Sequence, residues 1–462
     1  MADAVVYHPE LTKADVLLLR NLAADIQDQT PDKESRSNGS LEKTDSNTNG
    51  HASNGNTSPK DAAGSGLRAR ASAGENRAAQ HRDEETIETL AAMNDPKSAH
   101  FEPTVFTSVD LDKLQLPKFL HQWVLEPYVR TARSIVRVET DVVMLTHLLL
   151  YFTTSVPSAI FLFWRFNWIH GLLHCVMQVS YIGSYTLMMH QHIHMRGILN
   201  KRFALFDALF PYITDPLMGH TWNSYFYHHV KHHHVEGNGP DDLSSTIRYQ
   251  RDDILHFLHY LGRFYFFVWL DLPLYFMRKG RYGVAAKAAF WEVGEYATLF
   301  MLYRLKPQAT FCVLLVPLML LRLGLMVGNW GQHALVDHEE PDSDYRSSIT
   351  LIDVPSNRHC FNDGYHTSHH LNPLRHWREH PVSFMKSKGT YASQHALVFH
   401  NIDYIMITVR ILMKDYRTLA ECMVPIGNQI SMTMEERMAL LKSCTKKFTE
   451  EEIRQKFKDV KQ

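Results

Sequence analysis

The residues most able to do chemistry are histidines. The chain holds 29, nine of them between His190 and His234 and eight between His333 and His380. His190 and His194 stand one helical turn apart and share a face, whereas His192 points roughly 200° away. A second group follows as His228-His229-Val230-Lys231-His232-His233-His234. On a helix His228, His229, His232 and His233 share an arc of about 140°, and His234 falls outside it. His229, His232 and His233 form the i, i+3, i+4 set and are the expected ligands; His192, His228 and His234 are alternates. His366, His369 and His370 repeat that spacing, and His333 closes the run Asn329-Trp330-Gly331-Gln332-His333. Imidazole is the commonest metal-binding side chain. The nine candidates are His190, His194, His229, His232, His233, His333, His366, His369 and His370. That is too many for one zinc, which takes four ligands in a structural site and three plus water in a catalytic one. It suits two metals of about four ligands each, with open coordination positions. Imidazole binds iron, copper, nickel and zinc alike, so ligand type does not choose the metal.

These groups must be held by something apolar. Val142–Trp164 and Trp168–Met189 carry no charged residue and are joined by a tight turn containing Arg165 and Asn167. A membrane crossing needs roughly 20 apolar residues, so the pair reads as a transmembrane hairpin in which Pro157 is tolerable. Three more apolar stretches follow: Ile254–Met277, Val284–Leu305 and Ala309–Trp330. If both histidine regions face one side, an even number of crossings separates them. The turn Lys306-Pro307-Gln308 makes the last two stretches a second hairpin, and Ile254–Met277 then lies in the interface or re-enters. The expected fold is all-α and integral to the membrane, with about four transmembrane helices in two hairpins, an interfacial helix and a cytosolic histidine-rich cap. Arg130, Arg133 and Arg137 before the first hairpin, with Arg196, Lys201 and Arg202 after it, place the N-terminus, the histidine clusters and the C-terminus in the cytosol.

The order HxxxH, HxxHH, NxxxH, HxxHH, with apolar spans in the gaps, resembles the membrane fatty-acid desaturase family over roughly residues 140–380. The run Asn362-Asp363-Gly364-Tyr365-His366-Thr367-Ser368-His369-His370 is similar to the third box of acyl-CoA desaturases. The resemblance implies two iron ions held mainly by histidine, with Asn329 reaching one of them through water. It implies dioxygen as co-substrate and a lipid acyl chain as substrate, whether free, CoA-linked or lipid-linked. It also implies residence in the endoplasmic reticulum. The first box has the short HxxxH form, also seen in lipid-linked members, which leaves the carrier open. No His-Pro-Gly-Gly haem motif of a fused cytochrome b5 occurs. The expected electron source is therefore a separate protein, such as cytochrome b5 or ferredoxin with its reductase.

Two further readings compete. A lipid or alkane hydroxylase uses the same kind of di-iron site. A zinc-dependent membrane hydrolase or a non-catalytic metal-binding membrane protein belongs to another class, but no HExxH motif supplies a hydrolase base. The net charge of -1 gives no basic face for nucleic acid. Five scattered cysteines without a CxxC exclude a disulfide scaffold. Four regions are expected: a short amphipathic N-terminal segment (1–30), a disordered low-complexity tail (31–95), a membrane desaturase domain (96–420) and a charged C-terminal helical tail (421–462). Glu292 and Glu295, one turn apart inside an apolar stretch, are costly in a membrane and are left between a functional and an interfacial role.

Overall fold

A computed structural model describes residues 11–29, 60–352 and 354–457, with backbone alone over 60–76. Helices dominate, and the sole sheet among the described residues is one parallel pair of short strands. Ahead of the apolar helical body lie α1 (Lys13–Gln29) and α2 (Lys60–Asn94). The body begins with α3 (Val142–Thr153) and α4 (Ser155–Trp164). They form one apolar rod that breaks at Thr154, three residues before Pro157, whose ring clashes with the i−4 carbonyl of a continuous helix. Asn167 then caps α5 (Trp168–Met195), accepting from the Ile169 and His170 amides. Short α6 (Ala204–Leu209) and α7 (Pro211–Leu217) lead to a π-helical turn, Phe226–His233. Next come α8 (Ile254–Arg278), α9 (Tyr282–Leu305) and α10 (Val316–His333), the last continuous with apolar turns from Pro307.

Two helical rods, Val142–Trp164 and Pro307–His333, are long and apolar enough to cross a membrane. Ile160, Trp164, Ile169, Leu172 and Val176 are exposed along α4 and α5, as are Phe290 and Phe300 on α9. Bare apolar faces of this extent need a partner. Glu292 points inward, accepting from Thr221 at 2.9 Å and pairing with Arg322 at 3.2 Å, and Glu295 is buried beside it. Both carboxylates are thus turned into the protein rather than toward its exposed apolar face.

The remaining chain builds a cap over one end of the bundle. Strand β1 (Ile349–Leu351) pairs with β2 (Leu397–Phe399). Between them sits α11 (His366–Leu371), and after them α12 (Tyr404–Leu412) packs on α10. Gly331 permits that packing, because a Cβ there would meet the Tyr404 carbonyl oxygen and the Thr408 hydroxyl. The expected disorder of 31–95 does not extend to α2. Its last turns dock on α1 through Asn21, which donates to Asp83 and Thr86, and bury Leu90; composition alone missed this tertiary support. Residues 30–59 lie outside the described residues. The expected C-terminal tail is part of the body, with Leu441, Cys444, Phe448 and Ile453 buried. The buried Arg251 guanidinium ties it there, donating to the carbonyls of Ala334, Cys444 and Lys446.

Candidate metal centre

Histidines from four separate elements meet where the bundle joins the cap. One group contains His190 and His194 from the last turns of α5, His229 and His234 from the π-helical region, and His369 from α11. The other contains His233, His333 at the end of α10, and His366 and His370 from α11. Within each group the ligating atoms lie within 4.8 Å of one another. The groups adjoin, with the His234 and His370 rings 5.2 Å apart.

The geometry suits coordination. The Nε2 atoms of His190, His229, His234 and His369 form a closed ring with successive separations of 2.8, 3.0, 2.8 and 3.0 Å. Nitrogens at right angles about an ion, each about 2.1 Å from it, are separated by about 3.0 Å. In the second group His366 Nε2 lies 2.9 Å from His333 Nε2 and 3.1 Å from His370 Nε2. Both ring nitrogens of His194 are buried with no hydrogen-bond partner. An orphaned buried imidazole is costly unless an ion satisfies it. Burial, reinforced by neighbouring histidines, holds His229, His234, His366 and His369 well below the usual imidazole range. They are neutral, the form that binds metal.

Eight of the nine expected ligands are brought together; His232 is not, and His234 takes its place. The cause is the π-helical turn. Its hydrogen bonds close from i to i+5, so the residue five positions on is brought beneath the first. His229 therefore pairs with His234, not with His232. His232 packs edge-on against Tyr275, and its Nε2 accepts from the Leu243 amide at 3.1 Å. His228 faces the Phe264 ring and joins neither group. His192 turns away as its helical position requires, its Nε2 lying 2.9 Å from the Asp207 carbonyl oxygen.

Hydrogen-bond partners outside the two groups orient two of these rings. His233 Nδ1 donates to Asp242 at 2.7 Å and His333 Nδ1 to the Ser347 carbonyl at 2.9 Å, which leaves each Nε2 for a metal. Burial opposes the Asp242 charge, but His233, His232 and the Ser244 donors hold its carboxyl well below the usual range. Among the acids after the second histidine group, Asp242 pairs with His233, whereas Glu236 and Asp241 bind Lys279. Asn329 spends both amide hydrogens, on Ser244 O and Tyr260 Oη.

A cavity of about 1360 Å³, solvent at its mouth included, runs from the histidines between α5 and α10. His190, His229, His233, His366 and Asn329 form its polar end; Gly183, Leu187, Leu321, Leu325, Gly324 and Gly328 line its apolar length. Among the described residues that line it there is no lysine or arginine, while Asp363 and Asp403 are present. The fatty acid desaturase family model matches residues 147–400, more than half of the chain and all of its histidine groups, and the chain belongs to the fatty acid desaturase family. The comparisons with curated proteins and with solved structures return no match.

Proposed function

We propose that the protein removes two neighbouring hydrogens from a fatty acyl chain in an oxygen-dependent reaction at a histidine-held pair of irons. The observation that carries this reading is the pair of adjoining all-histidine groups beside a mostly apolar cavity. Bound irons would supply the oxidising power for an unactivated C–H bond, which no side chain can provide. His190, His194, His229, His234 and His369 would hold one ion, and His233, His333, His366 and His370 the other. Asn329 is assigned a water-mediated contact. The walls of α5 and α10 align the hydrocarbon and keep water from the reacting carbons. With no lysine or arginine among the described residues that line the cavity, and with Asp363 and Asp403 there, an anionic headgroup finds no side-chain counter-charge inside, and such a carrier stays at the mouth.

Membrane placement follows the same reading. Val142–Trp164 pairs with α5, and α9 pairs with the rod ending at His333, as two hairpins, while α8 lies along the interface. The histidine cap then faces the cytosol of an endoplasmic-reticulum membrane, where a separate electron donor docks.

Expression in a lipid-producing host, with lipids compared by mass spectrometry against a His366→Ala variant, tests the proposal. The expected result is a wild-type-only product lacking two hydrogens. A product gaining oxygen would establish a hydroxylase, and folded protein loaded with zinc alone would overturn the oxygenase reading.

A further inference from the structure

We infer that the N-terminal helix α1 belongs to the metal-holding apparatus, with Asp15 acting as a positioning residue for the turn that presents His366, His369 and His370. This inference rests on the metal site proposed above. Asp15 is fully buried. Its Oδ1 accepts from Tyr365 Oη at 2.6 Å and its Oδ2 from Asn357 Nδ2 at 3.2 Å. Tyr365 immediately precedes His366, and its carbonyl accepts from the His369 amide at 3.1 Å. Asn357 Oδ1 accepts from the Gly364 amide at 2.8 Å, while its Nδ2 also donates to the Leu351 carbonyl. Gly364 has no room for a side chain, since a Cβ would overlap Asn357 Oδ1 and the Leu351 carbonyl oxygen.

The four residues therefore close a loop of hydrogen bonds around the entry to α11, and one member comes from a helix more than 300 residues earlier. A buried carboxylate is retained only where donors satisfy it, and two of its donors are Tyr365, which immediately precedes His366, and Asn357, which holds the Gly364 amide. A separate anchor holds α1 and α2 on the cap: Lys388 Nζ donates to Asn21 and Asp25 of α1 and to Asp83 of α2. The Lys388 contacts, made beyond Asp15 on α1 and on α2, can thus be removed while the Asp15–Tyr365 bond is left in place.

Full-length Tyr365→Phe, Asp15→Leu, Asp15→Asn and Lys388→Ala proteins, purified and stripped of metal, would be titrated with ferrous ion and melted without it. Loss of an outer partner costs metal affinity ~10–100-fold. That weakening is expected in Tyr365→Phe and Asp15→Leu, with the double variant no worse than either. Asp15→Asn, which keeps an acceptor for Tyr365, should bind closer to wild type. Lys388→Ala should keep wild-type iron affinity even where its metal-free melting temperature falls as far as that of Tyr365→Phe. Unchanged iron affinity in Tyr365→Phe, or equal weakening in Lys388→Ala, overturns the inference. Should Asp15→Leu fail to fold, Tyr365→Phe decides alone. Weakened iron binding in a chain that makes no unsaturated product would uphold the role of Asp15 and sink the desaturase reading instead.

Discussion

At the scale of single residues, His232 and His234 exchange the roles their spacing suggests. His234 Nε2 lies 2.8 Å from His369 Nε2, whereas His232 is spent on the Leu243 amide. His234→Ala should therefore remove about one metal per chain and lower product formation by more than the ~10–100-fold cost of losing an outer partner. His232→Ala should keep both metals. Metal analysis of the two purified variants checks this, and the opposite ranking would restore the α-helical register. Asp242 was legible only as one of several acids near the histidine groups. It stands nine positions beyond His233, with nothing in that interval to mark it among several nearby acids.

Elements set which residues can meet. Removal of Val230 from the π-helical turn would return its neighbours to i→i+4 bonding and rotate His233 and His234 away from their groups. Metal content is expected to fall toward zero while the protein still inserts and elutes as wild type; retention of both ions would show that the turn adapts. Helix α10 contributes a different kind of control. A Cβ at Gly324 or Gly328 would meet no atom within 4 Å, and both glycines line the cavity. Gly328→Leu should leave metal content unchanged and shift turnover toward shorter acyl chains, measured by competition between chain lengths. An unchanged preference would show that the acyl chain runs elsewhere.

The whole molecule stores a pH dependence in its core. Folding holds His229, His234, His366 and His369 well below the 6.5 of an unperturbed imidazole. Below about pH 6.5 the unfolded chain therefore binds more protons than the folded one, and stability falls as the pH falls. For the fully buried His366 and His369 the slope approaches ~1.4 kcal/mol per pH unit each. The metal-free melting temperature should drop steadily between about pH 6.5 and pH 5. Ferrous ion should flatten that slope, because a ligated nitrogen cannot take a proton until the metal leaves. A flat metal-free profile would mean that the imidazoles are solvated.

The sequence by itself determined the helical class, the apolar rods, the histidine boxes and the family to which they belong. Each of these is local: an uncharged run or an i, i+3, i+4 spacing is complete within a few turns of chain. His190, His194, His366, His369 and His370 were legible for that reason. Tertiary structure alone decided what depends on partners distant in sequence. The register of His228–His234 is ambiguous because five histidines in seven positions satisfy either helical period, and packing against His369 and Tyr275 resolves it. Helix α2 reads as disordered because its support comes from α1 and Lys388. Asp15, isolated near the N-terminus, acquires its place only when the fold carries Tyr365 and Asn357 to it.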